Sequence, residues 1–342
     1  MDHNRYSRQI LFKQIGETGQ TKLASSHVLM VGAGALGTSI AEMLTRSGVG
    51  KLTIIDRDYV EWSNLQRQQL YTEADAAAGA PKAIAASHRL QEINREVEIV
   101  PIVTDFFDYV KSSSITTVDL IMDATDNFET RFLINDISQK QQIPWIYGGA
   151  TGSTGLTYTI IPKVTPCLSC MAETLPNQAE TCDNVGIISP TIQWVTAHQV
   201  NEAMKLLTGN EDKIRKTLLY TDLWKNHTSS LQMEGLKKAD CSSCGSQPTY
   251  PFLNTQKQTD LAILCGRDTI QIRPSQSQQL NRSLIEKNLA SMTTHIKANE
   301  HIIHAKLSES KRIVVFSDGR ILLHGTKDVA EAEKLYEQLV HI

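Results

Sequence analysis

The stretch HVLMVGAGALGTSIAEMLTRSGVGKLTIID, His27 to Asp56, decides the fold. Its first six residues form a short apolar run that reads as a buried strand entering a glycine loop. Leu36, Ile40, Met43 and Leu44 then recur at helical spacing, and Gly48 is a natural stop. KLTIID is a second apolar strand that ends on a carboxylate. Strand, glycine loop, helix and strand make one βαβ unit. Within it, VGAGALG fits the G-x-G-x-x-G pattern of a phosphate-holding loop. Gly32 gives the tight turn, Gly34 admits a phosphate to the backbone, and Gly37 lets helix and strand approach. The free N–H groups of the helix N-terminus favour an anion, and Asp56 lies where an acidic residue bonds ribose hydroxyls. A glycine turn without ligand fits the same pattern.

The alternation continues outward. PKAIAASHRLQEIN and NFETRFLINDISQK read as helices, and DLIMDAT and PWIYGGA as strands; EVEIVPIV is a strand that Pro101 places at an edge. The expected fold class is α/β: a Rossmann-like, doubly wound, mostly parallel sheet. After Gly152 the pattern changes, with GLTYTIIP as an antiparallel extension, a long helix ending at Gly209, and TLLYTDLW as a further strand. Turn formers after Gly245 place a boundary there, giving domains 1–245 and 246–342. The second is expected to be a small α/β module, with a hairpin turning at Asp318-Gly319 and a last helix capped by Asp328 and Glu331.

Composition narrows the function. The chain has 342 residues and a net charge of −3, which speaks against a broad nucleic-acid surface. No apolar run is long enough to span a bilayer, and the N-terminus lacks a signal-peptide stretch, so the expected location is cytoplasmic.

The residues just after the glycine-loop unit separate NAD from ATP. In DRDYVEWSNLQRQ, Asp58, Asn64, Arg67 and Gln68 crowd a polar segment beyond the strand end. Hydride transfer has no evident need of that cluster, whereas a triphosphate does. Arg67 offers a planar fork to phosphate oxygens and Lys82 a point charge. Asp126, past a third strand end, is a carboxylate able to hold Mg²⁺. A P-loop signature is missing. RYSRQI, GAGALG, DRDYVEWSNLQRQ, APK, DATDNFETR and two C-x-x-C pairs together resemble the ThiF/MoeB family, bacterial relatives of ubiquitin-activating enzymes, over Arg5–Gly245. The resemblance implies ATP-dependent adenylation of the C-terminal Gly-Gly of a ubiquitin-fold sulfur carrier by a homodimer. Carried onto this sequence, it implies that Gly34, Asp56, Asn64, Arg67, Lys82 and Asp126 contact ATP or its metal. Arg8 would reach the triphosphate of the neighbouring subunit.

Cys167-x-x-Cys170 and Cys241-x-x-Cys244 supply four thiolates, the set for a closed structural Zn²⁺ site; two independent redox pairs are the alternative. Cys182, in a polar stretch without a C-x-x-C partner, is by the same resemblance a candidate sulfur-handling nucleophile. Cys265 is expected to be buried structure, and His88, His198 and His227 have no hydrolase spacing. With no cysteine after Cys265, a rhodanese function is not expected of the C-terminal module, so sulfur would come from a separate persulfide donor. The tail ending HGTKDVAEAEKLYEQLV resembles that of some Gram-positive ThiF-type proteins. This favours a thiamin-pathway carrier over the molybdopterin-pathway one. The alternatives from other classes are an NAD-binding oxidoreductase and a non-catalytic module that docks a ubiquitin-fold partner.

Overall fold

The computed structural model describes residues 3–112, 115–172, 185–254, 261–263, 268–272, 281–317 and 319–340. Cys182, Cys265 and Asp318 lie outside them. The chain divides into two compact units, residues 1–73 with 82–255, and residues 74–81 with 256–342.

The first unit is built on an eight-stranded sheet in the order β3-β2-β1-β4-β5-β6-β7-β8. The parallel strands are β1 (His27–Val31), β2 (Lys51–Ile55), β3 (Glu98–Ile102), β4 (Leu120–Asp123) and β5 (Trp145–Thr151). β6 (Thr154–Ile160), β7 (Thr217–Asp222) and β8 (His227–Gln232) extend it antiparallel. The expected α/β class and the edge position of the Pro101 strand are both found. Order reverses at β1, with β2 on one side and β4 on the other, so the switch-point crevice opens beyond the carboxyl ends of these strands.

The helices follow from the apolar periodicity. Ala35–Ser47 buries Leu36, Ile40 and Leu44 and ends at Gly48, whose φ of 79° is the left-handed cap that glycine tolerates. On one face of the sheet, Leu29, Ile55, Ile121, Trp145 and Tyr158 pack with Phe106, Leu133 and Ile137 from the helices Phe106–Ser112 and Phe128–Gln141. The alternate residues Val28, Met30, Leu52 and Ile54 are equally buried, so both faces are covered. Ser189–Thr208 packs on β5, β6 and the Ala35–Ser47 helix. Among the described residues, no helix is long and apolar enough to cross a membrane.

The second unit is a six-stranded antiparallel sheet in the order β11-β12-β13-β14-β10-β9: β9 (Leu261–Ile263), β10 (Thr269–Ile272), β11 (Ile296–Ala298), β12 (Ile302–Lys306), β13 (Arg312–Phe316) and β14 (Ile321–His324). Ile285, Leu289, Ala332 and Leu339 of the helices Arg282–Met292 and Val329–Val340 cover it. The expected hairpin is β13–β14. Asp328 caps the last helix by accepting from Ala330 N at 3.0 Å, while the Glu331 carboxylate pairs with Lys311, so the box is half made. Segment 74–81 also belongs to this unit: Asn299 Nδ2 donates to the Ala78 carbonyl at 3.2 Å, and Gly79 packs on the His304 ring.

Burial, then the nearby Arg312 and Lys297, lower the His304 pKa to about 4. The unfolded chain takes up this proton near pH 6.5, so stability is unaffected above that pH and is lost as the pH falls from 6.5 toward 4. His304→Leu is expected to remove at most about 2 kcal/mol of the stability difference between pH 7 and pH 5, read from urea unfolding at both values.

Candidate functional site

Asp56 closes β2 at the crevice. Its Oδ2 accepts from Ala33 N at 2.6 Å and its Oδ1 from Asp58 N at 2.7 Å. One carboxylate thereby joins the glycine loop to the segment after β2. Burial pushes the Asp56 carboxyl up, and Lys82 opposes that shift. The glycines take different parts. Gly32 has φ 98° and would set a Cβ 2.5 Å from the Ala124 carbonyl oxygen, and a Cβ on Gly37 would meet the Gly32 oxygen at 2.2 Å. A Cβ on Gly34 would come no closer than 4.0 Å to Gln68 Nε2, which leaves room above the turn. The helix that starts at Ala35 presents its first N–H groups at this turn. Gln68 is 4% exposed and, among the described residues, its Oε1 has no hydrogen-bond partner. An orphaned buried acceptor beside an open glycine turn fits a site that takes a ligand or ordered water.

The charged residues divide: Asp58, Lys82 and Asp126 stand at these strand ends, whereas Arg8 lies on a helix packed at the far end of the Ala35–Ser47 helix from the glycine turn. Lys82, buried at the start of helix Lys82–Ile93, points Nζ at Asp58 Oδ2, 3.3 Å away, and its own N–H donates to the Asp58 carbonyl at 2.9 Å. Asn64 is buried and holds its own turn, accepting from Glu61 N at 2.9 Å. Arg67 Nη1 donates to the Ser63 carbonyl at 2.7 Å. Asp126 is exposed just past β4, with Asn127 Nδ2 3.2 Å from one of its oxygens. Arg8 is exposed on the first helix, His3–Ile10. That helix is anchored by Gln9 Nε2 to Gln20 Oε1 at 2.6 Å and by the Tyr6 hydroxyl, which accepts from Asn94 at 2.8 Å.

Three supporting residues carry little or no signal in the sequence. The Tyr71 hydroxyl donates to the Ala33 carbonyl at 2.6 Å and lies 3.2 Å from that of Lys82, bridging loop and lysine. Arg57 pairs with Asp105 at 2.7 Å; burial works against its charge, but Asp105, Asp58 and Asp126 raise its pKa. Arg131 is buried with Asp123. Its Nε donates to Asp123 Oδ2 at 3.0 Å, and its Nη2 to the carbonyls of Thr125 and Gly148 at 2.7 and 2.8 Å. That fork fixes the loop carrying Asp126. The helix of Arg131 also buries Asn135, Asp136 and Ser138, so a polar residue there gives no sign of its role, and Tyr71 gives none either.

The four cysteines of the C-x-x-C pairs converge away from this crevice. Their sulfurs all lie within 4.8 Å of one another. Cys167–Cys170, Cys167–Cys241 and Cys170–Cys244 are 3.9, 3.6 and 3.5 Å apart. A tetrahedral zinc with Zn–S bonds of about 2.3 Å sets its sulfurs about 3.8 Å apart, so the donor set fits. The neighbouring Cys244 and burial push the Cys167 thiol up, and burial raises Cys170 to about 11. A dication supplies the charge that makes such thiolates favourable.

A family model described as ThiF family matches residues 6–243. The chain belongs to the ThiF family. It is 46% identical to the sulfur carrier protein ThiS adenylyltransferase of Bacillus subtilis strain 168, over 98% of this chain and 99% of that one. It is 31% identical to the sulfur carrier protein adenylyltransferase of Thermus thermophilus, over 77% and 96%. Among solved structures, Escherichia coli MccB with ATP shares the fold at a TM-score of 0.60 and 23% identity, over 71% of this chain and 74% of that one.

Arg131→Met leaves the wholly buried Asp123 carboxylate unpaired and is expected to destabilise the protein by about 3–5 kcal/mol in denaturant unfolding. Arg131→Lys is expected to recover only part of that loss, because one ammonium cannot reproduce the fork to two carbonyls.

Proposed function

We propose that this chain activates the C-terminal Gly-Gly carboxylate of a ubiquitin-fold sulfur carrier of the ThiS type, for thiazole formation in thiamin biosynthesis. The observation that supports this most is the grouping at one crevice of buried Lys82 with Asp58, the open Gly34 turn, and exposed Asp126 beyond the next strand. The choice of a thiamin-pathway carrier rests on the B. subtilis relative, which matches over nearly its whole length.

In the reaction, a carboxylate oxygen of the carrier bonds to the α-phosphorus of ATP. The bond from that phosphorus to the bridging oxygen breaks, and pyrophosphate leaves with the electron pair. The protein contributes position and charge. Gly34 seats the phosphates on a turn that Gly32 and Gly37 allow to close, with Asp56 and Asn64 shaping the nucleotide site. Lys82, Arg67 and, from the neighbouring subunit of a homodimer, Arg8 offset the charge on the departing pyrophosphate. Asp126, with Asp58 nearby, would hold Mg²⁺, which neutralises phosphate charge when bound. Cys182 is assigned the later handling of the activated carrier: its thiolate bonds to the acyl carbon as AMP leaves, or, once the donor has placed a persulfide on it, the outer sulfur displaces AMP to give an acyl persulfide. Sulfur then comes from a separate persulfide donor in the cytoplasm. Residues 1–245 form the adenylation domain, with Cys167, Cys170, Cys241 and Cys244 as its structural Zn²⁺ ligands; 246–342 is a non-rhodanese appendage for carrier docking or dimer stability.

The direct test is exchange of labelled pyrophosphate into ATP with purified thiazole-pathway and molybdopterin-pathway carriers side by side. Exchange with the thiazole carrier alone is expected. Exchange only with the molybdopterin carrier would move the protein to that pathway, and none with either would refute the reading. Asp126→Ala is expected to lower exchange about 10²–10³-fold, the scale of other electrostatic clamps; a near-normal rate would remove its metal role. Elemental analysis is expected to find one zinc per chain, and chelation to lower the thermal midpoint.

A further inference from the structure

Helix Phe128–Gln141 places two adjacent buried polar residues, Asn135 and Asp136, against the loops of both C-x-x-C pairs. Asn135 Oδ1 accepts from Leu168 N at 2.8 Å, so its amide nitrogen is the end left to donate; Nδ2 lies 3.3 Å from Ser169 Oγ. Ser169 Oγ is 2.9 Å from Ser243 Oγ, and Ser243 donates to Asp136 Oδ1 at 2.5 Å. With Ser243 donating to the carboxylate, its oxygen accepts from Ser169, and Ser169 accepts from Asn135. Every hydroxyl gives one hydrogen bond and takes one. The chain of bonds leaves the helix at Asn135, crosses the first loop and then the second, and returns to the helix at the next residue. Asp136 Oδ2 meanwhile accepts from Phe252 N at 2.8 Å, which fixes the chain just after the second loop.

Ser169 and Ser243 stand one residue before Cys170 and Cys244, so the ring links the two halves of the sulfur cluster through the pairs' own interior residues. A bond from one loop to the other does what a metal ion does, at a different atom. We infer that the Asn135–Ser169–Ser243–Asp136 ring is a positioning device that holds the two C-x-x-C loops in register and so sets the affinity of the cluster for zinc. The inference rests on the four-cysteine metal reading. It also makes helix Phe128–Gln141, which begins two residues after Asp126, the structural link between the cluster and the nucleotide crevice.

The test is competition for Zn²⁺ between a chromophoric chelator and the full-length protein, in the wild type and three variants. Ser243→Ala opens the ring with little change in volume, and Asp136→Asn keeps the shape while altering its acceptor end. Ser242→Ala, at the exposed neighbour in the same loop, is the control. Ser243→Ala and Asp136→Asn are expected to weaken zinc binding about 10–100-fold, the usual cost of losing an outer partner of a metal site, with Ser242→Ala unchanged. Zinc binding by Ser243→Ala within twofold of the wild type, or equal weakening by Ser242→Ala, overturns the inference and leaves the metal reading standing. If Ser243→Ala does not fold, Asp136→Asn decides by the same criterion. A wild-type protein that binds no zinc overturns both.

Discussion

The Asp56 carboxylate is the constraint on which the switch-point crevice depends. Its two oxygens bind backbone N–H groups from two separate chain segments, Ala33 in the glycine loop and Asp58 after β2. The first bond shapes the turn where the Ala35 helix exposes its N–H groups. The second fixes the segment whose side chain meets Lys82. A carboxylate is costly to bury, and these bonds offset that cost while leaving capacity for further donors. Tyr71 closes the arrangement from the other side, holding the Ala33 carbonyl close to that of Lys82. The positive group at the crevice is therefore set by backbone as well as by its own side chain.

A second anchor lies under β4 and β5. Asp123 and Arg131 neutralise each other inside the sheet, and the guanidinium also satisfies the carbonyls of Thr125 and Gly148. The Phe128 and Tyr147 rings lie about it, 5.2 and 5.1 Å from the guanidinium carbon. This pair determines where the Asp126 loop leaves the strand. The same helix, about one turn beyond Arg131, meets the cysteine loops through Asn135 and Asp136. One element thus joins the exposed carboxylate at its start to the sulfur cluster at its middle.

The fold was legible where burial imposes a period. Strands β1, β2, β4 and β5 are apolar on both faces, and the helices between them repeat at helical spacing. β8 was not legible because HTSSLQ is nearly all exposed and carries no pattern. Of the candidate site, what the sequence suggested and the structure brings together is the pairing of Lys82 with Asp58 and the convergence of the four cysteines. Their supports were not legible. Asn135 and Asp136 read as ordinary polar helix residues until Ser169 and Ser243, 34 and 107 positions away from them respectively, are brought beside them. Segment 74–81 could not be assigned to the second unit from sequence, since contacts with Asn299, Ile302 and His304, far along the chain, place it there.

The central claim is that the residues after the glycine loop make a triphosphate site rather than a dinucleotide site. Calorimetric titration of ATP and of NAD⁺ into the protein with Mg²⁺ present tests it most directly, repeated with Lys82→Ala. A triphosphate site predicts saturable ATP binding that falls sharply in the variant, and no NAD⁺ binding at the same concentrations. NAD⁺ binding as tight as that of ATP, or ATP binding indifferent to Lys82, would contradict it.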